Sequence, residues 1–555
     1  MARKFAKSSN FRDPMDYLTA KVNKSVYLSY TDAAEVAKLI QSLDNKKSSG
    51  FDRISNKLLK SSCYIIVPFI VNLFNMCIHD GIFPDSFKVA QVIPLFKGGD
   101  KEDPSCYRPI SLLPTFGKLF EKIISVRIIN FLNKFDLFSS HQFGFRENYS
   151  AEYAILDIHE KLLNNLDKGL TSCAIFLDLA KAFDSVNHEI LLKKLSRYGI
   201  RGRVLKLFKS YLDSRYQYTK VGNALSSVSP VKFGVPQGSI LGPLLFLIFI
   251  NDLPNASKFF TKLFADDTFL CAQNKDIQLL EDEVKCELNK VFHWLASNKL
   301  TLNVSKSKFM IVTNKKQFPA NFSINLNREC VNAIASKEVK SLMLEKCNSY
   351  KYLGVFIDRK LNWKSHIEYI CKKISKACGA LAKLRHCVST NTLIEVYHAL
   401  IHSYLRYGVV VWGKASKTAL KPLNTVVNRA LKIMTFLPFG RVDMKPVYEC
   451  LKILNVEKVC LLETSKFLFK SNNDILPTVI GNYFEVRNNS GVPGLRPRND
   501  VSPEIVSRLI SSEKSIQHRG IKVWGSIPDE IKQSESLILF KKKYKKYLLE
   551  NDVEL

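Results

Sequence analysis

Two adjacent carboxylates, Asp266 and Asp267, stand between two short apolar runs, Lys262-Leu263-Phe264 and Thr268-Phe269-Leu270-Cys271. This pattern predicts a tight β-hairpin with the acids at its tip. Like charges side by side are costly unless something positive sits on them. A divalent cation supplies that charge, and hard oxygen ligands suit Mg²⁺. On its own an Asp-Asp pair is more commonly a solvated turn. Its weight here comes from two segments upstream.

The first is Phe176-Leu177-Asp178-Leu179-Ala180-Lys181-Ala182-Phe183-Asp184. Residues 171–177 are apolar and partly β-branched, which predicts a buried strand ending at Asp178. Asp178 alone reads more readily as a residue that caps the turn after its strand. With the pair at 266–267 it supplies the third carboxylate that a two-ion phosphoryl-transfer centre needs. The second segment is Gly234-Val235-Pro236-Gln237-Gly238-Ser239-Ile240-Leu241-Gly242-Pro243. Its glycines let the backbone approach a ligand closely. Gln237 offers a donor and an acceptor without charge. The apolar stretch 244–250 that follows predicts a buried helix. Gly98-Gly99-Asp100 reads as a hairpin loop between two strands rather than a catalytic turn.

In this order the three segments resemble motifs A, B and C of reverse transcriptases, most narrowly those of non-LTR (LINE-type, jockey-like) retrotransposons. Further segments are similar to that family. They are Val92-Ile93-Pro94-Leu95-Phe96-Lys97 with Tyr107-Arg108-Pro109-Ile110-Ser111-Leu112, then Gln142-Phe143-Gly144-Phe145-Arg146. Leu302 to Lys308 resembles motif D, and Tyr350-Lys351-Tyr352-Leu353-Gly354 the primer grip. Val523-Trp524-Gly525-Ser526-Ile527-Pro528 and Phe540-Lys541 resemble the C-terminal signature of these elements. The resemblance runs over roughly residues 31–550.

The resemblance implies an α+β right-hand polymerase: fingers, a ferredoxin-like palm, a helical thumb and a C-terminal extension. It implies that Asp178, Asp266 and Asp267 hold two Mg²⁺ ions, with Mn²⁺ as a possible substitute. Lys97 and Arg108 would grip the incoming deoxynucleoside triphosphate, Arg as a bidentate fork and Lys as a point charge. Gln237 and Gly238 would orient the nucleotide and template. Phe183 falls at the steric-gate position and would exclude a ribose 2′-hydroxyl. Lys306 reads either as a general acid for pyrophosphate departure or as a surface lysine in a Lys/Ser-rich turn. Tyr352, Leu353 and Gly354 would form the primer grip. Asp184 reads as structural, and Arg146 as either a template contact or a support of the fold. The implied partners are an RNA template, a DNA primer and the RNA–DNA hybrid; oligomeric state is left open.

Composition agrees. Lys and Arg number 82 against 51 Asp and Glu, a formal charge of +31. So large an excess implies a polyanionic partner bound with salt-dependent affinity, although membrane surfaces also attract basic proteins. The 13 cysteines form no Cys-x-x-Cys motif, which predicts reduced thiols in an intracellular protein, nuclear or cytoplasmic and not secreted. The N-terminus has no apolar signal core. The apolar run 240–250 is too short to span a bilayer, so no membrane partner is expected.

The expected organisation is a basic leader over 1–30, fingers over 31–170, palm with interleaved fingers segments over 171–364, thumb over 365–440 and a basic extension over 441–555. Asp32 and Glu35 predict a capping box opening a helix through Leu43. Ile367, Ile370, Cys371, Ile374, Cys378, Leu381 and Leu384 fall at helical spacing, with lysines 372, 373, 376 and 383 on another face. A further helical pair is expected at 392–407 and 422–436. Gly491 to Arg498 reads as a linker. In the C-terminal helix, Phe540, Tyr544 and Leu548 would share a docking face and leave the lysines solvated; RNA or DNA contact, nuclear import and, last, membrane binding are the alternative readings of those lysines. With resemblance beginning near residue 31, the chain is expected to lack an N-terminal endonuclease. Three functions remain open: an active RNA-directed DNA polymerase, an inactive nucleic-acid-binding relic, and a polymerase of another class.

Overall fold

The computed structural model describes residues 12–19, 22–315, 322–325, 343–481, 483 and 515–553. The expected linker 491–498 lies outside them. The chain is a mixed α/β protein with twelve described strands: β1 Val89–Phe96, β2 Tyr107–Leu112, β3 Thr171–Asp178, β4 Arg215–Val221, β5 Ala224–Leu225, β6 Ser229–Val231, β7 Phe260–Phe264, β8 Asp267–Asn274, β9 Lys308–Val312, β10 Glu345–Lys346, β11 Ser349–Tyr352 and β12 Val355–Asp358. They form one sheet ordered β2-β1-β4-β5 with β6 on β4, a second ordered β10-β9-β3-β8-β7, and a two-stranded hairpin β11-β12.

β3 runs through the middle of the second sheet, antiparallel to both β8 and β9. Its buried run follows from that position, because both faces are covered. Side chains alternate across the sheet. Cys173, Ile175 and Leu177 enter one core with Leu270, Ala272, Phe309 and Ile311. Ala174 and Phe176 enter the other with Phe269, Cys271, Met310 and Val312. The sheet is thus the partition between two hydrophobic cores, and the end of β3 where Asp178 stands is held from both sides.

The first core takes the helices Cys63–Asp80, Thr115–Lys134 and Leu241–Ile250. The helix Cys63–Asp80 is long and apolar enough to cross a bilayer by length and composition, which the sequence reading passed over. Val67, Ile70 and Phe74 anchor it in the core, while Tyr64, Ile65 and Phe69 face outward. The second core takes Ala151–Asp167, Lys364–Leu384, Lys417–Met434, Val456–Asn472 and Leu537–Glu550.

Grouping in space does not follow chain order. β1 pairs in parallel with β4, joining residues 89–92 to 216–219. The helix Ala151–Asp167 packs on β3 and β7 rather than on the first sheet.

Several local expectations hold. Asp32 caps the helix Ala33–Gln41, accepting from the Glu35 N–H. The Glu35 carboxylate does not return to the cap, because it binds Thr31 Oγ1 and Arg127. The helix Lys364–Leu384 buries Ile367, Ile370, Ile374, Cys378 and Leu381. The expected helix at 392–407 contains a π-helical turn, His398–His402. Phe540, Tyr544 and Leu548 are fully buried, docking the helix Leu537–Glu550 on Val456–Asn472.

Candidate active site

β7 and β8 close as a hairpin around Ala265 and Asp266, with Phe264 paired to Asp267. Ala265 has φ of 56°, a conformation that costs an L-residue roughly 1 kcal/mol and must be held by its surroundings. Gln142 holds it: its Oε1 accepts from the N–H groups of Ala265 and Gly144 at 3.1 and 2.8 Å. Phe143 N–H donates to Leu263 O at 2.8 Å. A Cβ on Gly144 would lie 2.6 Å from Ala265 N, so only glycine permits this approach. The Gln-Phe-Gly segment therefore braces the acidic turn directly.

In the sheet, Asp178 and Asp267 are register partners. Burial pushes the Asp267 carboxyl up to about 6, reinforced by the charges of Asp266 and Asp178. Burial and Asp178 also raise Asp266, opposed by its own backbone N–H and the Arg108 guanidinium. The one ion pair in this group is long: Lys306 Nζ lies 3.9 Å from Asp178 Oδ2. Lys306 sits on a turn tied to β3, where Asn303 N–H donates to Asp178 O and Asp178 N–H to Ser307 Oγ.

Among the described residues no three His, Cys, Asp or Glu side chains are set to hold an ion as they stand. The donor chemistry fits a divalent cation all the same. All three acids are hard oxygen donors at one end of one sheet, and two of them are strained by mutual charge.

The Gly-rich loop is fastened at several points. Gly234 N–H and Val235 N–H donate to Val186 O and Phe183 O, each at 2.8 Å. Ser111 N–H donates to Gln237 O at 2.7 Å. Gly238 has φ of 128°, and a Cβ there would lie 2.4 Å from Ser111 O. Gln237 Nε2 donates to Asp184 Oδ1 at 3.0 Å. The Phe183 ring stacks on Phe246 with centroids 4.5 Å apart. Lys97 and Arg108 are exposed at the turn end of the β1–β2 hairpin.

The β11–β12 turn is Leu353-Gly354, both with positive φ, the backbone twist that two-residue hairpins favour. Tyr407 Oη donates to Leu353 O at 2.6 Å. Tyr352 is only 3% exposed and packs near Phe176 and Phe269. Its side chain supports the hairpin from beneath. Tyr350, two residues earlier on the same face, stacks on Phe176 at 4.2 Å. Burial and then the charges of Asp178 and Asp267 push Tyr350 up to about 12.

Arg146 donates to Ser139 O and Gln142 O and lies over Tyr149, so its guanidinium serves the fold. Sequence reasoning missed Glu121. This buried acid accepts from Ile240 N–H and Leu241 N–H at 2.6 and 3.0 Å, fixing the end of the Gly-rich loop.

The structure thus combines a strand-end acid and a hairpin pair in one sheet with a fastened glycine-rich loop and an aromatic floor. Residues 99–357 match the family described as reverse transcriptase (RNA-dependent DNA polymerase). Among the proteins similar to this chain are polymerases of transposons and mobile elements. The probable RNA-directed DNA polymerase from transposon BS of Drosophila melanogaster is 28% identical over 476 residues, covering 83% of this chain and 51% of the relative. That from transposon X-element of the same fly is 27% identical over 441 residues, covering 78% and 47%. The RNA-directed DNA polymerase from its mobile element jockey is 27% identical over 448 residues, again covering 78% and 47%. The chain spans about half the length of these relatives.

Proposed function

We propose that this chain acts as the RNA-directed DNA polymerase of a non-LTR retrotransposon, extending a DNA primer on an RNA template by two-metal nucleotidyl transfer. The observation that carries the reading is the pairing of Asp178 with Asp267, which brings acids from distant segments to one end of the sheet. On this reading the second sheet is the palm, the first is the fingers and the helices Lys364–Leu384 and Lys417–Met434 are the thumb.

Asp178, Asp266 and Asp267 would hold two Mg²⁺ ions, which when bound lower the pKa of the primer 3′-hydroxyl and neutralise charge on the transferred phosphoryl group. Lys97 and Arg108 would bind the triphosphate. Phe183, backed by Phe246, has a rigid floor and would not retreat from a ribose 2′-hydroxyl. Gln237 and Gly238 would set the nucleotide against the template. Lys306, beside Asp178, would donate a proton to the leaving pyrophosphate. The Tyr352-Leu353-Gly354 turn would meet the primer through its backbone, since Tyr352 is buried. The RNA template, DNA primer and deoxynucleotides are the proposed partners, and an intracellular setting follows from them.

The test is primer extension on poly(rA) with oligo(dT), dTTP and Mg²⁺, beside an Asp266→Ala/Asp267→Ala variant. Extension by the parent alone supports the reading. Hybrid binding without extension by either protein would indicate a relic.

A further inference from the structure

A second basic feature stands apart from the acids and the Gly-rich loop. His398, His402 and Arg406 recur every four residues and so form a ladder on one helical face. The first two flank the π-helical turn, and their rings meet edge-on at 5.0 Å. Single π-turns within α-helices cluster at functional sites.

A second ladder comes from the C-terminal helix. Burial of Phe540, Tyr544 and Leu548 fixes its rotation and leaves Lys541 and Lys545 off the docked face. The helix Val456–Asn472 packs against both the Ser403–Arg406 turn and the C-terminal helix, bringing the two ladders together. It adds Lys466 and the acid Glu463, already engaged by Arg406 at 3.2 Å and Lys466 at 2.6 Å. Burial, then the charges of Lys545 and Lys541, lower His398, and burial, then His398 and more weakly Lys545, lower His402. Arg406 and Lys466 thus share one carboxylate, and Lys541 and Lys545 add two further cations around the two imidazoles. Packing like charges together costs stability, which a bound polyanion would recover.

We infer that the meeting of His398, His402 and Arg406 with Lys541 and Lys545 is a second phosphodiester-binding surface, which anchors nucleic acid outside the polymerising site. Spacing of about one turn between successive cations on each helix suits adjacent backbone phosphates. Contacts of this type position a strand without reading its sequence. The inference rests on the polymerase reading only for the identity of the polyanion.

Fluorescence anisotropy on the full chain tests it. The probes are a short blunt RNA–DNA hybrid, the same hybrid with a long single-stranded RNA overhang, and the same hybrid with a DNA overhang. Lys541→Ala/Lys545→Ala should bind the blunt hybrid like the parent. It should bind overhang probes roughly five- to tenfold more weakly at physiological salt, with a log–log salt slope shallower by about 1.4 for two lost phosphate contacts. The RNA and DNA arms tell which strand is held. His398→Gln/Arg406→Gln changes the opposite ladder and should give the same pattern, so misfolding of one variant does not end the test. Unchanged affinity and slope for every probe in both variants would overturn the inference. So would loss of binding to phosphatidylserine vesicles with nucleic-acid binding intact. If the parent fails on the blunt hybrid yet holds overhangs through these lysines, the polymerase reading fails and this one stands.

Discussion

Asp184 is the residue whose replacement best isolates one function of the Gly-rich loop. Its Oδ1 accepts from Gln237 Nε2, which turns the amide oxygen of Gln237 away from it. The loop backbone is tied independently, through the bonds from Gly234 and Val235 to Val186 and Phe183. Asp184→Ala therefore frees the orientation of one amide and leaves the loop in place. A hydrogen bond to a charged acceptor contributes about 1.5–3 kcal/mol. Water reaches this half-buried pair and offsets part of the loss, so about 1–2 kcal/mol of transition-state binding should disappear. That is roughly a 5- to 30-fold fall in kcat/KM. Asp184→Asn keeps an acceptor oxygen and should lose less than about fivefold. The assay is single-nucleotide incorporation, with KM for dTTP and kcat separated and melting temperatures compared. The fall should lie in KM, in the order parent, Asn, Ala. In a Gln237→Ala background the Ala substitution should cost almost nothing. Equal damage from Asn and Ala would refute the argument, because it would make the charge of Asp184, not its hydrogen bond, the active element. Additive losses in the double variant would refute it too.

Asp267→Asn should abolish extension yet raise the melting temperature of the metal-free protein at pH 7.5. A carboxyl held near 6 in the fold costs stability that grows as pH rises from about 4 to 6 and persists above. The full shift corresponds to about 3 kcal/mol, and solvent screening leaves about 1–3. Mg²⁺ should raise the melting temperature of the parent only; equal gains in both proteins would remove Asp267 from the ion site. Glu121→Ala strands two buried N–H groups and should cost about 2–5 kcal/mol by urea denaturation, with Glu121→Gln costing much less. For His366, burial holds the ring near 4 in the fold against about 6.5 unfolded. Above pH 6.5 both states are neutral and the residue exerts no pH effect. As pH falls from 6.5 to 4, only the unfolded chain takes the proton, and up to about 3 kcal/mol of stability is lost. A His366→Gln variant should show a correspondingly flatter stability profile across that window.

What could be read in the sequence was set by neighbours along the chain. The acidic hairpin, the strand ending at Asp178 and the C-terminal face of Phe540, Tyr544 and Leu548 are local patterns, and each appears where expected. The parallel pairing of β1 with β4 joins segments more than a hundred residues apart, and no local period encodes a partner at that distance. Tyr352 follows from alternation once β11 is seen. Tyr350 and Tyr352 share a face, so the stacking of Tyr350 on Phe176 carries Tyr352 into the same core.

Glu121 is the instructive omission, because half of its account was available. In the helix Thr115–Lys134 it falls on the buried arc with Gly117, Phe120, Ile124 and Ile128. An acid at such a position needs hydrogen-bond donors. The helix Leu241–Ile250 begins at Ile240, whose side chain cannot cap it. Ser239 Oγ serves only the Gly242 N–H among these first donors, so those of residues 240 and 241 needed another acceptor. An unpaired buried acid and an uncapped buried helix start are complementary deficits. Each is visible in sequence, and hydrogen-bond accounting rather than periodicity would have joined them.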